Sequence, residues 1–174
     1  MKILVLNGSP RKNGNVAKTL RRETEKIQRR NGPCEIVWKD VQDLGFNFCK
    51  GCMACRSKGK CAMPDDDAHR VADEINSCDM IFVGTPVYWG NMNGKLKSLF
   101  DRLVGNLMAE SKMGIPIPLH KGKKAVIVTS CTTPFPFNYL CRQSTGAVRA
   151  VKEILKSSGF RIIKKVNISN TKNK

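Results

Sequence analysis

Three stretches of the chain are apolar almost without interruption: residues 3–6 (Ile3 to Leu6), 80–83 (Met80 to Val83) and 125–128 (Ala125 to Val128). Strands buried on both faces read this way, so the three are predicted to be central strands of a parallel sheet. Two further runs, 35–38 and 160–168, are more mixed, as expected of edge strands with one solvated side. Between these runs the apolar positions switch to helical spacing: Val16, Leu20 and Ile27; Val71 and Ile75; Leu96, Leu99, Phe100, Leu103 and Leu107; Ala147, Val148, Val151, Ile154 and Leu155. Ser157-Ser158-Gly159 supplies a stop for the last helix, and Asp65, Asp66 and Asp67 stand where a helix start favours acids.

The predicted order is therefore β-α-β-α-β-α-β-α-β. Strict alternation with right-handed crossovers gives an open, doubly wound parallel sheet. Ligands of such sheets bind at the carboxyl ends of the strands, which directs attention to the loops after Leu6, Val83 and Val128. Two insertions interrupt the pattern, at 44–64 and 109–122, and long loops in compact domains are commonly functional. The polar tail, 169–174, is expected to fray.

At 174 residues the chain has the size of one domain able to bury a core without staples. Its first apolar run is too short for a signal peptide, and none reaches membrane-spanning length, so no membrane role is expected. Eight cysteines in such a chain point to reduced thiols and a cytoplasmic setting. The net charge of +17 would suit nucleic acid, a membrane surface or anionic small molecules. Much of it falls on Lys18, Arg21, Arg22, Lys26, Arg29 and Arg30, where Glu23 and Glu25 are interleaved and no aromatic residues accompany them. That pattern reads as a solvated helix face and excludes a nucleic-acid partner of the base-stacking kind.

Gly8-Ser9-Pro10-Arg11-Lys12-Asn13-Gly14-Asn15 joins the first strand to the first helix. Backbone N–H groups at a helix start favour an anion, and Ser9, Arg11 and Asn15 add side-chain donors. Gly14 is followed by Asn15 and Val16 where a nucleoside-triphosphate loop needs Lys and then Ser or Thr, and Pro10 breaks the dinucleotide pattern of glycines. A terminal phosphate, as in a mononucleotide, remains. After the third strand comes Thr85-Pro86-Val87-Tyr88-Trp89-Gly90-Asn91-Met92-Asn93-Gly94, with half of the chain's four Tyr and Trp residues. Two large aromatics beside accessible backbone suit a flat, partly polar ring such as a flavin; ordinary core packing is the other use of such side chains.

These two loops make the chain resemble the flavodoxin-fold NAD(P)H-dependent FMN reductases. The resemblance implies a flavodoxin-like five-stranded sheet of order 2-1-3-4-5 in a single domain, 1–174. It implies FMN held at its phosphate by Ser9, Arg11, Gly14, Asn15 and Val16, with Pro86, Val87, Tyr88, Trp89, Gly90, Asn91 and Met92 along the isoalloxazine ring and Ser130 and Thr132 closing a third side. It further implies hydride transfer from NAD(P)H to flavin N5, onward transfer to a small acceptor (a quinone, a nitro or azo compound, a metal ion) or a redox protein, and a homodimer or homotetramer, for which the insertion with Ile115 and Ile117 offers apolar surface. No catalytic side chain is expected, because the flavin carries the chemistry.

Cys49, Cys52, Cys55 and Cys61 fall within thirteen residues. Four thiolates in one compact run meet the ligand needs of a cubane cluster, zinc accepts four cysteines as well, and a metal-free loop with reactive thiols is the third reading. The run is similar to the motif of the iron–sulfur flavoproteins, which implies a [4Fe-4S] cluster near FMN, single-electron transfer and a ferredoxin-like donor. A thiol phosphatase is excluded, since no arginine stands six residues after any of the four. Cys34, Cys78, Cys131 and Cys141 are scattered and expected to pack as small apolar residues. His69 and His120 have no sequence neighbours that suggest a triad.

Overall fold

The computed structural model describes residues 1–173. Five parallel strands form the central sheet: β1 (Lys2–Asn7), β2 (Glu35–Asp40), β3 (Met80–Pro86), β6 (Lys124–Ser130) and β7 (Arg161–Ile168), ordered β2-β1-β3-β6-β7. Counting only these five, the order is the expected 2-1-3-4-5, with the reversal between β1 and β3. Helices α1 (Asn15–Asn31), α3 (Asp67–Ser77), α4 (Gly94–Arg102) and α7 (Gln143–Ser157) are the crossovers.

Alternation of side chains across the pleat divides the apolar runs into two cores. Leu4, Leu6, Ile81, Val83 and Ile127 point to one face and meet Val71 and Ile75 of α3, Leu96 and Leu99 of α4, and Val151 and Leu155 of α7. Ile3, Val5, Phe82 and Val126 point to the other and meet Val16 and Leu20 of α1. Gly84 lets α1 press directly on the sheet, because a Cβ there would lie 2.6 Å from the Leu20 side chain and 2.7 Å from that of Val16. β7 departs from even pairing by a bulge opposite Ala125 and Val126, which reflects its mixed, partly solvated sequence.

Both insertions hold structure that the apolar pattern does not announce. The segment 96–107, which reads as one helix, divides at Leu103 into α4 and a short α5 (Val104–Leu107). A small antiparallel pair follows, β4 (Met108–Glu110) with β5 (Pro116–Pro118). The cysteine-rich insertion contains one short helix, α2 (Ala54–Lys58), and another, α6 (Phe137–Leu140), precedes α7. The tail does not fray at its start: Thr171 donates from its N–H and from Oγ1 to the Cys131 carbonyl (3.2 and 3.0 Å), fixing it against the loop after β6. No helix among the described residues is long and apolar enough to cross a membrane.

Candidate active site

At the carboxyl ends of β1, β3 and β6 a cavity of about 280 Å³ opens between three loops. From the first loop it is lined by Ser9, Arg11, Gly14, Asn15 and Val16, from the second by Pro86, Val87 and Tyr88, and from the third by Ser130, Cys131 and Thr132. Ten of the fourteen residues expected at a cofactor are thus brought around one space by three strands far apart in sequence, Lys2–Asn7, Met80–Pro86 and Lys124–Ser130.

The first loop is shaped by a residue that the sequence reading passed over. Asn7, fully buried at the end of β1, accepts from the Ser9 N–H (3.2 Å) and donates to Asp40 Oδ1 on β2 (2.7 Å). Ser9 Oγ in turn accepts from the Arg11 N–H (3.2 Å), and the Gly8 N–H donates to the Gly84 carbonyl (2.7 Å). The turn then delivers α1 with no side-chain cap and no acid in its first turn. Its leading N–H groups, which every helix start leaves orphaned, therefore face the cavity for a ligand to satisfy. Arg11 and Lys172 add two cations to a lining that holds no carboxylate, so the space suits an anion. Lys172 and Thr171, from the tail, are lining residues that no local sequence signal marks.

The second loop makes a two-residue hairpin. Tyr88 and Asn91 exchange backbone hydrogen bonds of 2.9 Å, and Trp89 and Gly90 between them both have positive φ (50° and 72°). A bulky residue in that region is an outlier worth a functional reading, and the Trp89 side chain is 101% exposed beside the cavity. The internal bonds use part of this loop's backbone. The N–H groups of Tyr88 and Asn91 are used within the hairpin and that of Met92 by Asn91 Oδ1 (2.8 Å), so Trp89 and Gly90 carry the N–H groups left open. The Met92 side chain is buried in the core between sheet and α4, away from the cavity lining. Thr85 fixes the far end by accepting from the Asn93 N–H (2.9 Å), and Asn93 caps α4 by accepting from the Lys95 N–H (2.9 Å).

The cysteine-rich loop is organised by a charge. Arg102, at the end of α4, is fully buried through its side chain and donates from Nε to Cys61 Sγ (3.1 Å), from Nη1 to the Asn47 carbonyl (2.8 Å) and from both Nη atoms to Asp66 (2.7 and 3.1 Å). Asp66 also caps α3 by accepting from the Ala68 N–H, and His69 completes a capping box. Burial pushes the Asp66 carboxyl up, but the Arg102 guanidinium and the Ala68 N–H outweigh it and hold the group below the usual carboxylate range. The four sulfurs themselves are not gathered. Cys61 is engaged by Arg102, Cys49 Sγ accepts from the Gly51 N–H (3.4 Å), and Cys55 lies against Gly105 of α5. Among the described residues no three His, Cys, Asp or Glu side chains converge as ligands of one metal would, so the donor set as folded does not fit a four-sulfur site. Of the other cysteines Cys78 and Cys131 are buried as expected, while Cys34 is half-buried and Cys141 exposed.

Sheet order and switch point define a flavodoxin-like fold, with a first loop that suits an anion at the carboxyl ends of its strands. The family model for NADPH-dependent FMN reductase matches residues 1–133, and the chain belongs to that family. An "Iron-sulfur flavoprotein" of Archaeoglobus fulgidus is 35% identical over 121 residues, 67% of this chain and 58% of that protein. One of Methanosarcina thermophila is 35% identical over 118 residues, 66% of this chain and 60% of that protein. The chain spans about half the length of the curated relatives it matches. Among solved structures, an azoreductase from Bacillus anthracis superposes with a TM-score of 0.76 at 16% identity, covering 98% of this chain and 87% of its own. An NAD(P)H:quinone oxidoreductase from Methanothermobacter marburgensis gives 0.73 at 16%, covering 99% and 85%. At these identities the superpositions concern the fold.

Proposed function

We propose that the chain binds FMN in the cavity at the ends of β1, β3 and β6 and uses it as an oxidoreductase, taking hydride from NAD(P)H onto flavin N5 and passing electrons to a small acceptor such as a quinone, a nitro or azo compound or a metal ion. The observation that carries this reading is the uncapped start of α1, opening with Arg11 and Lys172 onto a cavity whose other walls are a Tyr-Trp hairpin and the loop after β6. Bound FMN supplies hydride acceptance and electron release. The chain's own residues bind and orient. Leading N–H groups of α1, with Arg11, hold the phosphate end; Pro86, Val87 and Tyr88 bound one side of the ring, and Ser130 and Thr132 the other. The N–H groups of Trp89 and Gly90, not used within the hairpin and next in sequence to the lining residue Tyr88, would be available to negative charge developing on the ring. With no carboxylate or imidazole in the lining, no side chain is assigned a proton-transfer role.

The test is direct. Dialysed protein titrated with FMN should quench flavin fluorescence at a single saturable site, and Arg11→Ala should weaken binding about tenfold, the loss of one charge-assisted contact. Rapid mixing of the loaded protein with NADPH should bleach the flavin absorbance; binding without bleaching would sink the reductase reading and leave the site.

The names of the relatives and the cysteine spacing support a second reading, single-electron transfer between a ferredoxin-like donor, a [4Fe-4S] cluster on Cys49, Cys52, Cys55 and Cys61, and FMN. The loop as folded speaks against it, and no electron route is drawn through a cluster. Iron and acid-labile sulfide near four atoms of each per chain after anaerobic purification would establish it; their lack in protein that still binds FMN would dismiss it.

A further inference from the structure

The loop between β1 and α1 is held from outside the cavity. Asn7 at the end of β1 has Asp40, at the end of β2, as its register partner in the parallel ladder. One carboxylate oxygen of Asp40, Oδ1, accepts from two side chains: Asn7 Nδ2 (2.7 Å) and the indole Nε1 of Trp38 (3.0 Å), which stands two residues earlier on the same face of β2. With its donor end committed to Asp40, the Asn7 amide offers its oxygen to the Ser9 N–H (3.2 Å). The Trp38 ring is fixed in turn by α1, because the Arg21 guanidinium lies over it, 4.8 Å from its centroid. Arg21 Nη1 continues into the loop, donating to Asn13 Oδ1 (3.3 Å) and, at 3.5 Å, to the Lys12 carbonyl. Lys12 is tied further to Asp43 (2.6 Å), in the turn after β2. Arg21, Trp38 and Asp40 thus clasp the loop at its start and its middle, and none of the three is among the residues lining the cavity.

A carboxylate behind an anion-receiving loop works against the field of that loop. What Asp40 supplies is therefore an acceptor in the right place rather than a charge. Asn7 is fully buried, and a buried amide whose donor loses its partner carries a desolvation cost. Without Asp40 the Asn7 amide would turn to find another acceptor, and the Ser9 N–H would lose the oxygen that holds it. We propose that Asp40, together with Trp38, is a positioning residue for the flavin phosphate: acting through Asn7, it keeps the loop 9–14 in its receiving shape before the ligand arrives, and so sets a preference for FMN over riboflavin, the same flavin without its phosphate. The role rests on the FMN reading above. A loop shaped in advance binds with less ordering cost, and only a phosphorylated ligand gains from it.

Fluorescence titrations with FMN and with riboflavin are the test. Asp40→Ala leaves the Asn7 donor and the Trp38 indole without their shared acceptor, and should weaken FMN binding about tenfold while riboflavin stays within about twofold of wild type. Asp40→Asn keeps an oxygen for both donors and removes the opposing charge, so it should bind FMN at least as tightly as wild type. The phosphorus NMR resonance of bound FMN should be displaced in Asp40→Ala and not in Asp40→Asn, a signature that lost stability alone would not produce. Equal losses of FMN and riboflavin affinity in Asp40→Ala, an unchanged FMN affinity, or an Asp40→Asn variant as weak as the alanine one would overturn the positioning role and leave the FMN site standing. A wild-type chain that binds no FMN would overturn both.

Discussion

Arg102 has no solvent contact through its side chain, yet every donor it uses finds an acceptor, and that arrangement ties the cysteine-rich insertion to the body of the protein. Burying an ion pair costs desolvation that the pairing offsets only when geometry is good, whereas removing one partner strands the other. Asp66→Asn isolates this effect, because Asn caps a helix as well as Asp does and the substitution removes only the charge. The variant should lose about 3 kcal/mol at pH 7, read as a lower urea midpoint. The sign with pH follows from the lowered carboxyl. A group whose folded pKa lies below its unfolded value stabilises the fold above the unfolded value, so the wild-type advantage should persist from neutrality down to about pH 4 and vanish as pH falls through the lower folded value. A gap that closed nearer pH 6 would implicate another group. Glu23 is held down in the same direction: burial pushes it up, but Lys164 and Lys26 prevail.

At the scale of elements, the hairpin after β3 is positioned by a neighbour in space that lies some fifty residues away in sequence. A Cβ on Gly146 of α7 would come within 2.0 Å of the Gly90 carbonyl oxygen, a backbone atom that cannot swing aside. The last helix therefore buttresses the Trp89-Gly90 turn through the one residue able to approach so closely. Gly146→Ala should push that turn toward the cavity mouth and weaken FMN binding about tenfold while the helix itself gains intrinsic stability; a fluorescence titration beside a thermal melt reads both. Gly146 reads in the sequence as an indifferent residue near a helix start. The contact that makes it matter belongs to the packing of α7 and cannot be inferred from either segment alone. The division of the 96–107 segment at Leu103 and the β4–β5 hairpin are similar cases: helical spacing runs through the first, and three-residue strands, one of them Pro116-Ile117-Pro118, carry no periodic signal.

For the molecule as a whole, the excess of positive charge is a field rather than a site. Thirty-one Lys and Arg against fourteen Asp and Glu should draw a phosphorylated nicotinamide toward the protein, an effect that salt screens once charges are more than about 8–10 Å apart. The rate of flavin reduction at limiting NADPH should accordingly fall several-fold between low and roughly 0.5 M ionic strength, while turnover of an uncharged quinone by the prereduced protein should change little. Equal salt sensitivity for both would locate the effect in the fold or in FMN binding instead.

The uninterrupted apolar runs at Ile3, Met80 and Ala125 and the helical spacing between them were sufficient for strand identity and alternation, because burial on both faces leaves an apolar sequence little choice of structure, whereas the strand order followed from the family resemblance. The Ser9–Asn15 and Pro86–Tyr88 loops were legible for the same reason: each directly follows such a run, where a strand end must become a helix start. What required the tertiary structure was everything decided by contact between distant segments. Asn7 shapes the first loop through Asp40, Thr171 and Lys172 return from the tail to line the cavity, Asn91 Oδ1 engages the N–H of Met92, and Arg102 donates to Cys61 from the end of α4. Periodicity reports which way a side chain faces within its own element; which partner it meets there is a property of how the elements pack.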